Sequence, residues 1–185
     1  MKKILIISSN WKFILLGFFL CVYCLYLFQG HERAMSEITG NQAMMIDLRS
    51  DYTVNEIRTF FEELKPEGRA VHTYATKVTD SIFPFAYGAL FILLSAFLLK
   101  NITNSESNWI YLSLFPLLLM VVDFKENFNT LSMLSSYPDL TSEMVDSASK
   151  VTSLKGVLVN ISMGLPIILG LIWIVKLGLK RMKIS

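Results

Sequence analysis

The sequence predicts an all-α polytopic membrane protein with four transmembrane helices and a short extracytoplasmic helical cap. Three observations carry that expectation. The 185 residues are 53% hydrophobic and 12% aromatic, richer in apolar groups than an ordinary soluble domain. Four stretches, residues 11–29, 81–99, 109–128 and 156–175, approach the roughly 20 apolar residues needed to cross a bilayer. Between the first two lies a mixed-charge segment, residues 30–79, too short for an independent domain with a large core. The chain 1–185 therefore reads as a single membrane domain. Its net charge of +2, with basic residues gathered near the ends rather than along one stripe, argues against nucleic acid as a partner.

The first span, ILLGFFLCVYCLYLF after MKK and Lys12, has the basic start and apolar body of a secretion signal. Nothing like an A-x-A cleavage site follows in LFQGHERAMSE, so it is expected to be retained. Cys21 and Cys24 form a C-x-x-C pair within it. The quinone-linked disulfide-forming membrane proteins need a second cysteine pair, and this chain has 2 cysteines in all. The pair reads as two small buried apolar groups.

The cap contains Thr53 and Glu56 at capping-box spacing before VNEIRTFFEEL. There Ile57, Phe60, Phe61 and Leu64 make one apolar helical face. KPEG interrupts this helix, and from Arg69 the pattern runs unbroken into the second span, which is expected to project beyond the bilayer and to kink at Pro84.

Topology follows from two signals. Lys2, Lys3, Lys12, Lys100, Lys176, Lys180, Arg181 and Lys183 all fall on one side of four spans, while nearly all acidic residues, Glu106 excepted, fall on the other. Trp11, Trp109 and Trp173 lie near the basic side as interfacial anchors. Both termini are expected to be cytoplasmic in a multi-pass protein of the cell membrane, in a bacterium the inner membrane.

The third span ends in VVDFKENFNT, three polar groups where apolar ones belong. Counting from the tryptophans at about 1.5 Å per residue places Asp123 at about 21 Å and Glu126 and Asn127 at about 26 and 27 Å across a hydrocarbon layer of about 30 Å. Lys155 comes out at about 27 Å and Asp80, counted from Lys100, at about 30 Å. Helical spacing puts Lys77, Asp80, Pro84 and Tyr87 on one face of the second span. It likewise aligns Pro116, Met120, Asp123, Asn127 and Thr130 on the third. Thr152, Gly156, Asn160 and Gly164 form a small, polar stripe on the fourth, expected to face other helices.

Carboxylates at this depth need a partner or a wet cavity. Lys155 is the expected counter-ion of Asp123 or Glu126, with Lys77 a second available cation, and Asn127 and Tyr87 supply hydrogen bonds. Asp123, Glu126 and Asp80 are the acid and base candidates of an outward-facing polar pocket. The competing expectation is a salt-bridged plug that sets helix register without chemistry. No cofactor is implied. Asp80, Asp123 and Glu126 are oxygen ligands, but no compact metal motif accompanies them, and no metal is expected. Asn101-Ile102-Thr103 matches a glycosylation triplet on the side that topology makes cytoplasmic, where it is accidental.

Four motifs in order, YTVNEIRTFFEELKPEGRAVHTY, D-x-x-F-P-x-x-Y from Asp80 to Tyr87, D-x-x-E-N from Asp123 to Asn127, and T-x-x-K from Thr152 to Lys155, resemble a group of small four-span bacterial membrane proteins without an established activity. The resemblance covers residues 52–156. It implies that Gly68, Arg69 and Tyr74 belong to one constellation with Asp80, Tyr87, Asp123, Glu126, Asn127 and Lys155. Signal peptidase II shares the size and span number, but its N-x-x-D-type motifs are absent. Two functions stand as expectations. The first is an enzyme or binder that takes a lipid or small amphiphile from the outer leaflet, with Arg69 available to an anionic head group. The second is a non-catalytic accessory, immunity or assembly subunit that docks a membrane protein partner or a second copy of itself.

Overall fold

The computed structural model describes residues 1–40, 45–46, 49, 51–104 and 107–182. Among these residues every regular element is helical, and four helices are long and apolar enough to cross a membrane. Apolar side chains stay outward along them: Phe19 is 63% exposed, Val121 68% and Ile167 62%. A soluble domain would bury such belts.

Helix α1, Lys2–Ser8, is a short element that hydrophobic periodicity alone did not announce. It ends at Ser9. Asn10 then caps α2, Trp11–Thr39, by accepting the Lys12 N–H at 3.1 Å. The helix runs on past the expected first span, 11–29. Gly30 does not stop the helix, which continues to Gly40, whose φ of 71° is the left-handed cap that glycine adopts without a side-chain clash.

Helix α3, Val54–Glu63, starts with the expected capping box. It buries Ile57, Phe60 and Phe61, with Leu64 just beyond its end. The break after it is sharper than KPEG predicted. Lys65 has φ 56°, and α4, Lys65–Tyr74, begins there with Pro66 in its first turn rather than at Arg69. Proline suits that position because the first N–H groups of a helix have no partner within it.

From α4 the chain continues through one π turn, Ala75–Thr79, into α5, Asp80–Ile102. The two helices and the turn make one rod, Lys65–Ile102, which projects past the apolar stretch as expected. The third span departs from its prediction. Residues Asn108–Leu114 form a 3-10 helix, and α6 runs from Pro116 to Ser136. A 3-10 helix rises about 2 Å per residue, so the ruler applied to Asp123 falls roughly 3 Å short. The fourth helix, α7, extends far beyond 156–175 at both ends, over Ser142–Met182.

Helix α5 is the centre. α2, α6 and α7 all pack on it, and α6 packs on α7, whereas α2 and α7 barely meet. Closeness to α5 comes from small residues. A Cβ on Gly17 of α2 would lie 3.3 Å from the Leu90 backbone, and one on Gly88 would meet Met120 Sδ at 2.2 Å. Cys21 and Cys24 are free, buried thiols on the same stripe of α2 as Gly17.

The cap is the continuation of the bundle rather than a separate layer. Met35 of α2, Met133 of α6, and Val145 and Ala148 of α7 close over Ile57, Phe60 and Phe61 of α3 in one apolar core. At the opposite end, lysines finish the helices. Lys100 donates to the Ser9 and Ile6 carbonyls at 2.5 and 3.4 Å, and Lys176 to those of Asn101 and Ile102 at 3.1 and 2.8 Å. Helix C-termini favour cations because their last carbonyls lack partners. Lys183 and Glu106, used in the charge count, lie outside the described residues, as do residues 41–44, 47, 48 and 50 of the cap.

Candidate functional site

The polar end of the third span is built by three helices. Asp123 and Glu126 of α6 are each 1% exposed. Lys155 of α7 bridges them, at 2.8 Å from Asp123 Oδ1 and in direct contact with Glu126 Oε2. Tyr87 of α5 donates its hydroxyl to Asp123 Oδ2 at 2.7 Å. The spacing i, i+3 on α6 makes this possible, since two carboxylates one turn apart can share one ammonium reaching across from α7. Such a bridge persists only when further hydrogen bonds complete it, because burying the ions costs several kcal/mol each.

Asp80 joins through its backbone. Proline at position 84 has no N–H, so the Asp80 carbonyl four residues earlier loses its helical partner. Asn127 replaces it, donating Nδ2 to that oxygen at 2.9 Å. The D-x-x-F-P and D-x-x-E-N motifs are thus two halves of one contact between α5 and α6. The π turn lies immediately before Asp80, and Ser81 donates to the Thr76 carbonyl at 3.3 Å within it.

Two of the predicted residues stand elsewhere. Arg69 donates to the Phe61 carbonyl at 2.6 Å and stacks on Tyr137 at 4.6 Å. It closes the end of α3 and is held in the cap, away from the acids. Tyr74 is 58% exposed, with its ring edge-on to His31 at 5.7 Å. Gly68 is buried because Leu64 lies over it, 3.2 Å from where a Cβ would be. Lys77 is exposed on the π turn, so the second cation expected for the acids is absent from them. His72 is buried in the cap, where its Nε2 accepts the Ile46 N–H at 3.4 Å. Among the described residues no group of three or more His, Cys, Asp or Glu is placed to hold a metal ion.

Beside the acids lies a cleft of about 850 Å³, within the range of small-molecule sites. It occupies the gap between α2 and α7, with Phe83 of α5 in its lining. The stripe from Gly156 to Asn160, expected to face other helices, lines this open space instead. A Cβ on Gly156 would touch nothing within 4 Å, because α2 does not close on α7. The lining changes along its length. Toward the cap stand Glu32, Arg49, Thr152, Ser153 and Lys155; deeper, the lining is mostly apolar, with Leu25, Phe28, Val157 and Val159 around the amide of Asn160. Lys155 is the contact between cleft and acids: its side chain is 13% exposed where theirs are 1%. Phe28, Phe83 and Tyr87 continue the link in edge-to-face contacts of 5.5 and 5.2 Å.

Glu32 and Arg49 were not among the expected site residues. Glu32 had a legible signal, since reading α2 on to Gly40 places it at i+7 from Leu25 on the cleft side. Arg49 precedes α3 in the chain and had none. A second network, built on hydroxyls, was also missed. The Tyr52 N–H donates to Ser149 Oγ at 3.2 Å, Ser149 Oγ donates to Asp51 Oδ1 at 2.5 Å, and the Tyr52 hydroxyl meets Thr152 Oγ1 at 3.2 Å.

No protein-family model matches this chain, and no curated protein or solved structure matches it significantly.

Proposed function

We propose that the protein takes a lipid or small amphiphile from the outer leaflet into the cleft between α2 and α7. The observation that carries this reading is the graded lining, charged and hydroxylic near the cap and apolar deeper, in a gap that opens sideways between two helices. An amphiphile has the same gradient. The reading includes a topology with both termini cytoplasmic in a bacterial inner membrane and the cap outside, supported by the lysines at one end and the acidic residues at the other. It also includes the proposal that the four ordered motifs mark a common group of four-span proteins, since two of them meet at the Asp80 carbonyl.

Binding is favoured over processing. Asp123 and Glu126 lie behind Lys155, so an acid or base role for either requires that lysine to move aside. A second reading, a non-catalytic accessory subunit whose polar cluster is structural, is favoured by the same enclosure of the acids. The test is photocrosslinking with a phospholipid carrying a diazirine in its acyl chain, mapped by peptide mass spectrometry. Labels concentrated on Leu25, Phe28 and Val157, and removed by Gly156→Trp, are expected. Even labelling of all lipid-facing helices would overturn the binding reading and leave the accessory one.

A further inference from the structure

The charges at the cap end of the cleft divide into committed and uncommitted ones. Lys155 is engaged by Asp123 and Glu126, so its charge is already opposed from behind. Glu32 and Arg49 line the same cleft, yet among the described residues neither side chain makes an ion pair or a hydrogen bond, and Arg49 Nε is buried without an acceptor. Arg49 is nevertheless positioned. Its guanidinium stacks on the Phe60 ring at 4.4 Å, and on the α3 side it borders Glu56 and Glu63, where its charge helps to hold the Glu56 carboxyl down. Stacking fixes the plane of the fork and leaves its N–H groups to find an acceptor, the arrangement by which arginine grips phosphate.

We infer that the occupant of the cleft carries a zwitterionic head group, an anionic phosphate received by Arg49 and an ammonium received by Glu32. This rests on the reading of the cleft as an amphiphile site and adds to it the class of head group. Charge complementarity selects against the alternatives. A purely anionic head would satisfy Arg49 but face Glu32 with two more carboxylates behind Lys155. A purely cationic head would satisfy Glu32 and leave the N–H groups of Arg49 without an acceptor. An uncharged head would leave both mouth charges partly desolvated beneath it, which is unfavourable when their hydrogen bonds go unmade. Only a head group with both signs opposes each mouth charge with its complement. The apolar wall of Leu25, Phe28, Val157 and Val159 then receives the chain.

The test is native mass spectrometry of the full-length protein in a non-ionic detergent. It is offered equal amounts of four single-chain lipids of one acyl length: lysophosphatidylethanolamine, lysophosphatidylglycerol, a monoacylglycerol and an alkyl trimethylammonium. The ethanolamine lipid is expected to be retained about tenfold more than the other three, the scale of one charge-assisted contact. Glu32→Gln should lower its retention to that of the glycerol lipid. Arg49→Gln should bring both phospholipids down to the monoacylglycerol. Equal retention of all four, with loss of all four in Gly156→Trp, would overturn the head-group inference and leave the cleft reading standing. Retention of the anionic lipid above the zwitterionic one would also overturn it. Failure of every lipid to bind, or binding indifferent to Gly156→Trp, would remove the cleft reading itself.

Discussion

Two buried polar clusters meet on adjacent turns of α7 and are made from opposite chemistry. At Thr152 the cluster is built on hydroxyls: those of Ser149, Thr152 and Tyr52, with the Tyr52 N–H, tie α7 to the segment before α3, and the Asp51 carboxylate stands at the edge. One turn on, at Lys155, it is ionic, with two carboxylates, one ammonium and a phenol holding α5, α6 and α7 together. The difference teaches how each part of the molecule tolerates loss. A hydroxyl that loses its partner leaves a modest deficit, whereas a buried ion that loses its partner leaves an uncompensated charge.

The sharpest way to break the comparison is Lys155→Met. Stranding two carboxylates that are 1% exposed is expected to cost about 3–5 kcal/mol, read as a lower Tm in a fixed detergent. Adding Asp123→Asn and Glu126→Gln should restore most of it, because the penalty belongs to the charges rather than to the lost contact. A single variant as stable as the parent would mean that the bridge contributes nothing.

Next in size is the proline contact. Asn127→Leu should cost about 1–3 kcal/mol by leaving the Asp80 carbonyl buried without its donor. Pro84→Ala is expected to return much of that loss in the Asn127→Leu background, since alanine brings back the N–H that proline lacks. Were Pro84→Ala equally neutral with and without Asn127, the two residues would be unconnected. The hydroxyl cluster should respond less: Tyr52→Phe removes the hydroxyl that meets Thr152 and is expected to cost about 1 kcal/mol, measured in the same melting experiment. A loss as large as that of Lys155→Met would erase the distinction between the clusters.

The smallest effect lies in the cap, where Glu56 is held below its usual 4.5 by hydrogen bonds from the Thr53 hydroxyl and backbone N–H. Its folded value is below its unfolded one, so its contribution is present above the unfolded pKa and lost as pH falls through the folded one. Glu56→Gln should therefore flatten the stability profile on the acid side of 4.5 and leave neutral pH nearly unchanged. An identical acid limb in parent and variant would refute the role given to the box.

Much of this was legible from periodicity. The alternation of Asp123, Glu126 and Asn127 on one face of α6, and of Asp80, Pro84 and Tyr87 on one face of α5, needs only 3.6 residues per turn. Their lysine was legible from depth. Arg69 and Tyr74 lie apart from the acids because the π turn, Ala75–Thr79, stands between them and Asp80 and shifts the helical register, and its composition does not announce it. The depth of the third span was misjudged because a 3-10 segment has the composition of an α-helix and a different rise.

By itself the sequence determined that four helices are long and apolar enough to cross a membrane and which polar residues share a face of them, since transfer free energy and helical period are local properties. Only the tertiary structure decided that α2 stays apart from α7 and so opens a cleft, that Asn127 serves the carbonyl orphaned by Pro84, and that Glu32 and Arg49 stand at one mouth. Those outcomes depend on how helices pack, and packing is set by contacts between residues far apart in the chain.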